Sequence, residues 1–180
     1  MRTRCRKAPA VQERGFSFLE MIIASGILLF GIVSVVQLVP ASLKNNMNNR
    51  LDTMATAIAQ RELDQMLNQP LTASAFTDTD GHAVKLSGPG SPGANVVMEG
   101  SAASIDFSTD ISSVPAGFSA IYIDLNDPSR TSFELRWAVY SQMNGATVIS
   151  RRILVGCRRA NSNTGVFPIT LDSSVQRFGN

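Results

Sequence analysis

At 180 residues and 19.3 kDa the chain has room for one compact domain plus an extended element, and not for two full domains with separate cores. A formal charge of +2 and 44% hydrophobic residues are ordinary averages, yet both basic and apolar residues are unevenly placed. Five of the sixteen basic side chains lie in the first fifteen positions, and without those positions 11 basic side chains face 13 acidic ones, a formal charge of −2. That balance argues against nucleic-acid binding driven by overall positive charge.

The basic segment (Arg2, Arg4, Arg6, Lys7, Arg14) runs directly into an apolar stretch, the layout of an export signal. From Phe16 to Val39 the side chains are Phe, Leu, Met, Ile, Val, Ala and Gly with a few Ser and one Gln. About twenty such residues span a bilayer as a helix. The basic flank predicts residues 1–15 on the cytoplasmic side of the membrane and everything after Pro40 outside.

Past Pro40, Leu43, Met47, Leu51, Met54, Ile58 and Met66 recur at helical spacing, while Asn, Arg, Asp and Gln fill the positions between them. This pattern predicts that the helix continues as an amphipathic one whose stripe covers something outside the membrane. Gln69-Pro70 is the predicted stop. Residues 71–94, rich in Ser, Thr, Asp, Gly and Pro, read as a flexible loop without regular structure. Short β-prone runs follow at residues 96–98, 104–108, 119–125, 132–141 and 146–157. The clearest are SFELRWAVYS and ATVISRRILVGC, which Asn144-Gly145 should join as a hairpin. Their apolar faces, Phe133, Leu135, Trp137 and Val139 on one and Ile149, Ile153, Val155 and Cys157 on the other, are expected to meet the helix stripe.

Glu20 is the only residue charged at neutral pH between Phe16 and Leu43. One account is local: Ser17 and Glu20 fit an S-x-x-E capping box, and a carboxylate suits the first turn of a helix. A second account starts from Gly15, a small residue placed before the apolar run, where a cut would remove the basic leader, keep the whole helix and free an amine at Phe16.

The stretch RGFSFLEMIIASGILLFG resembles the amino terminus of type IV prepilins and of the pseudopilins of type II secretion. ATAIAQRELDQML, ELRWAV and SRRILV look most like the V-type minor pilins. The resemblance implies cleavage after Gly15 by a prepilin peptidase, N-methylation of Phe16, and a role for Glu20 in filament assembly. It further implies an α+β, type IV pilin-like fold, with a long N-terminal helix packed on a C-terminal antiparallel β-sheet. The corresponding division is a leader at 1–15, a transmembrane and filament-core helix at 16–40, an amphipathic continuation at 41–70 and a globular β domain at 71–180. Expected partners are the peptidase, other pilins in a helical filament, an inner-membrane assembly platform and, before assembly, membrane lipid. The expected location is the inner membrane and then the pilus, and the alternative is a pseudopilin of a type II secretion system. Three features depart from the family: Phe18 stands in place of leucine, Pro40 lies later than the usual helix proline, and Cys157 has no disulfide partner once Cys5 leaves with the leader.

Other signals are weaker. His82 is the only histidine and reads as a solvated loop residue; DTDGH at 78–82 lacks the third acidic position and the closing glutamate of a calcium loop, so no metal is expected. Arg151-Arg152 and Arg158-Arg159 should each split across the two faces of a strand, as solvated or ion-paired side chains. With no phosphate-binding loop, nucleophile elbow or CxxC, neither an enzyme nor a cofactor is expected. Cys157 reads as a buried thiol.

Overall fold

The computed structural model describes residues 15, 17–87, 92–124, 130–145, 147–160 and 168–176. They form an α+β arrangement of one long helix, α1 (Phe18–Leu67), and eight strands: β1 (Ala75–Thr77), β2 (Ala83–Lys85), β3 (Val96–Glu99), β4 (Ala102–Ile105), β5 (Ser119–Ile123), β6 (Ser132–Asn144), β7 (Thr147–Arg159) and β8 (Ile169–Gln176). Two compact units result, Met1–Asn46 and Met47–Asn180.

In the first unit, α1 carries apolar side chains on every face and buries none of them, and it is long and apolar enough to be compatible with membrane anchoring. Ser34 is one of its few polar interruptions, and its hydroxyl donates to the Phe30 carbonyl at 2.8 Å, so the group needs no water. Pro40 lies inside the helix.

In the second unit, α1 buries Leu51, Ala55, Ala59, Glu62, Leu63 and Met66. The predicted stripe is thus displaced: Leu51 and Met66 belong to it, Met54 and Ile58 lie at its edge, and Met47 is exposed. Small residues set the displacement, because Ala55 and Ala59 let the helix approach the sheet closely while longer side chains flank the contact. The helix ends at Leu67, with the Asn68 and Gln69 N–H groups closing onto Asp64 and Met66 before Pro70, where the proline signal predicts a stop.

The main sheet has the order β5-β6-β7-β8, antiparallel throughout. In the β6–β7 hairpin Leu135 lies opposite Cys157 and Trp137 opposite Val155; the register shifts between Gln142 and Met143, and the ladder reaches Asn144 and Thr147 around Gly145 at φ +61°. Phe133, Leu135, Trp137, Val139, Ile153, Val155 and Cys157 join the α1 residues in one core, as the alternation predicts, whereas Ile149, expected on the same face, lies at the register shift and stays outside that core. The Trp137 indole N–H donates to the Lys85 carbonyl at 3.1 Å. Beyond β5, the segment at 92–94 takes over the same edge of β6: Ala94 N–H donates to the Trp137 carbonyl and Val139 N–H to the Pro92 carbonyl.

One expectation is corrected here. The stretch 71–94, read as a loop without regular structure, contains the paired strands β1 and β2, whose Val84 is fully buried; three-residue strands are too short to leave an alternation that sequence can display. The sheet is also covered on both faces. Ala138 and Leu154 lie opposite the helix side in a second core with Ala94, Ile105 and Phe107, brought there by the β3–β4 hairpin. Gly156 makes room for it, since a Cβ there would lie 2.6 Å from Ile105 Cβ. β8 was not among the expected strands.

Candidate functional site

Gly15 is exposed and precedes the helix, while Phe16 lies outside the described residues. The first turn of α1 closes through main chain alone: the Ser17 carbonyl accepts the N–H of Glu20 at 2.9 Å and of Met21 at 3.2 Å. The capping-box expectation is therefore corrected. The Glu20 N–H is bound by a carbonyl, and neither the Ser17 hydroxyl nor the Glu20 carboxylate makes a capping bond among the described residues. Its carboxylate lies exposed in the first turn, and among the described residues no cation pairs with it. The surroundings are apolar: Phe18, Leu19, Met21, Ile22 and Ile23 are all exposed. Farther along, Gly31 leaves a groove lined by Ile27, Leu28, Ile32, Val35 and Val36.

The second unit contains a polar cluster that the sequence reading did not identify. Glu62 is fully buried on the sheet-facing side of α1, and its Oε2 lies 2.9 Å from the Tyr122 hydroxyl of β5. The same hydroxyl lies 2.6 Å from Asp78 Oδ2 in the β1–β2 turn. Asp78 Oδ1 accepts the N–H groups of Asp80 and His82, and His82 Nδ1 lies 2.9 Å from Oδ2. Gly81, at φ +89°, permits the turn. Arg61 pairs with Asp80 and sits 5.3 Å from the centre of the Tyr122 ring. His82 is thus held by Asp78 and by an edge contact with Tyr122 rather than solvated as a loop residue. A cleft of about 460 Å³ opens beside the cluster, lined in part by Arg61, Asp80, His82 and Tyr122.

Burial pushes the Glu62 carboxyl above its ordinary value, and the Asp78 charge adds to this against the Tyr122 hydrogen bond. Burial also acts to raise Asp78, but the bonds from Tyr122 and from the His82 backbone and ring outweigh it, and the net direction is downward. Burial, with both carboxylates, raises the Tyr122 phenol. One signal could have revealed Glu62: it falls in register with Leu51, Ala55, Ala59 and Met66, the face that the structure buries.

The arginine doublets split across the sheet as alternation predicts, but only partly as solvated or paired side chains. Arg152 binds Asp172, and Arg158 binds Glu134. Arg151 is instead buried on the helix side, where Nη2 donates to the Leu71 and Ala73 carbonyls and no carboxylate is paired with it. It lies where β7 meets the chain leaving α1, so these carbonyls need a donor. On the opposite face Arg136 binds Glu134 and reaches the Asp106 and Thr109 carbonyls, and Arg136 and Arg158 each lie 5.0 Å from the Phe107 ring. Cys157 is fully buried, and burial together with the Glu134 charge pushes its thiol up to about 12.

Comparison of the chain with protein families, curated proteins and solved structures found no match.

Proposed function

We propose that this chain is a minor pilin subunit of a type IV pilus, held in the inner membrane by α1, cut after Gly15 and built into the filament or its initiating complex. The observation that supports this reading is Glu20: a carboxylate in the first turn of an otherwise apolar, exposed helix, five residues beyond Gly15, with no partner among the described residues. A charged side chain at the centre of a membrane helix costs roughly 2.5–3.5 kcal/mol, so such groups face a partner. The amine freed at Phe16 of a neighbouring subunit is a fitting one. A slip between neighbours would leave both charges unpaired in hydrocarbon, so the pair favours one stacking register. The apolar helix serves first as anchor and then as filament core.

The test separates processing from assembly. Mass spectrometry of the amino terminus should show a chain starting at methylated Phe16, and Gly15→Val should abolish that cut. Glu20→Ala should be processed normally yet be lost from sheared filaments by about tenfold or more, the scale set by removing one partner of a poorly solvated ion pair. An uncut Met1 terminus, or normal incorporation of Glu20→Ala, overturns the proposal. Loss of exoprotein secretion with intact pili on deletion would transfer the same chemistry to a secretion pseudopilin.

A further inference from the structure

We propose that Glu62, Tyr122 and Asp78 form a proton-dependent clamp, in which a proton held on Glu62 keeps the Asp78–His82 turn seated against α1 and its loss releases that turn. The inference concerns the second unit alone and does not rest on the pilin reading.

The geometry requires it by a count of protons. The Tyr122 hydroxyl has one hydrogen but lies within bonding distance of two carboxylates, at 2.6 Å from Asp78 Oδ2 and 2.9 Å from Glu62 Oε2. Asp78 is the acceptor of the pair, because its oxygens also take the Asp80 and His82 N–H groups and face His82 Nδ1. An oxygen array so surrounded by donors belongs to an ionised carboxylate. The phenol therefore gives its hydrogen to Asp78, and only a lone pair remains for Glu62. Glu62 meets it productively as the neutral acid, with its O–H donating to the phenol oxygen. The other oxygen, Oε1, is buried without a hydrogen-bond partner, a position that a neutral carbonyl tolerates and an anion does not.

Burial outweighs Arg61 and His82, which act to lower the Glu62 carboxyl but are each bound to an aspartate. On α1, Arg61 is turned to Asp80. The turn contributes Asp78 and Asp80, both acidic, and His82, which is bound to Asp78. From β5 comes Tyr122, and just beyond it Asp124 lines the same cleft. The helix-facing side of β6 and β7 is mainly apolar, with the neutral Cys157 thiol and with Arg151, which is bound to the Leu71 and Ala73 carbonyls. When Glu62 ionises, two negative groups share one hydrogen, and hydration of Glu62 requires the turn to lift.

The sign follows from both carboxyls. Glu62 is raised from 4.5, so its contribution to stability is complete below that value and is lost as pH rises through its folded value. Asp78 is lowered from 3.8, so its contribution is present above that value and is lost as pH falls through its folded value. The clamp is firmest between these limits.

The experiment is amide exchange of Asp80 and His82 in the full chain in detergent micelles, corrected for intrinsic base catalysis, with a carboxyl ¹³C titration of Glu62. Between about pH 5 and about pH 9 their protection should fall roughly tenfold in the wild type and less than about twofold in Glu62→Gln, whose amide keeps a donor facing the phenol. Tyr122→Phe, which keeps the ring, should leave both amides weakly protected at every pH. Equal losses in wild type and Glu62→Gln overturn the clamp. Should Glu62→Gln not fold, the wild-type titration decides: a Glu62 midpoint above 4.5 supports the clamp, and a midpoint at 4.5 overturns it.

Discussion

Gly156 shows how one missing side chain admits a second layer of core. A Cβ there would lie 2.6 Å from Ile105 Cβ and 2.8 Å from Phe107 Cε2, and neither neighbour can give way, because both are buried. Gly156→Ala should therefore destabilise the fold by about 1–3 kcal/mol, the range for overpacking a filled core, and thermal unfolding would measure it. At the same scale, Glu20 and Glu62 are opposite cases. Glu20 stands out in the bare sequence because nothing near it is polar. Glu62 sits in a helix full of charged residues, between Arg61 and Asp64, and only its contacts distinguish it from a solvated neighbour.

Among the elements, α1 changes function along its length without changing conformation. After Met47 its packing face is built on Ala55 and Ala59, and Ala59 is fully buried. Ala59→Leu should push the helix off the sheet at a cost of about 1–3 kcal/mol, seen as a lowered midpoint in denaturant with the same slope. The apolar spacing along this helix predicts its existence and Gln69-Pro70 its end, but neither predicts the rotation that makes alanines the contact. Large side chains dominate a periodicity reading, whereas close approach selects small ones. For β6 and β7 the alternation, together with Asn144-Gly145, was enough to assign both strands and the turn, but not the register shift between Gln142 and Met143 that takes Ile149 off the core face. β8, with Asp172, Ser173 and Ser174 at its centre, has too little apolar contrast to announce itself and exists through its ladder to β7.

At the scale of the whole molecule the two units have opposite surfaces: one exposes an unbroken apolar helix, and the other hides its apolar side chains in cores on both faces of a sheet. The full chain should therefore partition into the detergent-rich phase on cloud-point separation by about tenfold or more, a bias that the first unit supplies through its apolar area. Recovery mainly from the aqueous phase would refute that expectation. Read without coordinates, the chain already specifies the apolar helix, the place of Gly15 and Glu20, the proline stop and the central hairpin. All of these rest on neighbours close in sequence, whose patterns survive in one dimension. Folding added the second core, the buried Arg151, the short β1–β2 pair and the Glu62–Tyr122–Asp78 chain. The buried Arg151 and the Glu62–Tyr122–Asp78 chain depend on residues 44 to 80 positions apart meeting away from bulk water, which no local pattern records, and the β1–β2 pair on strands too short to show an alternation.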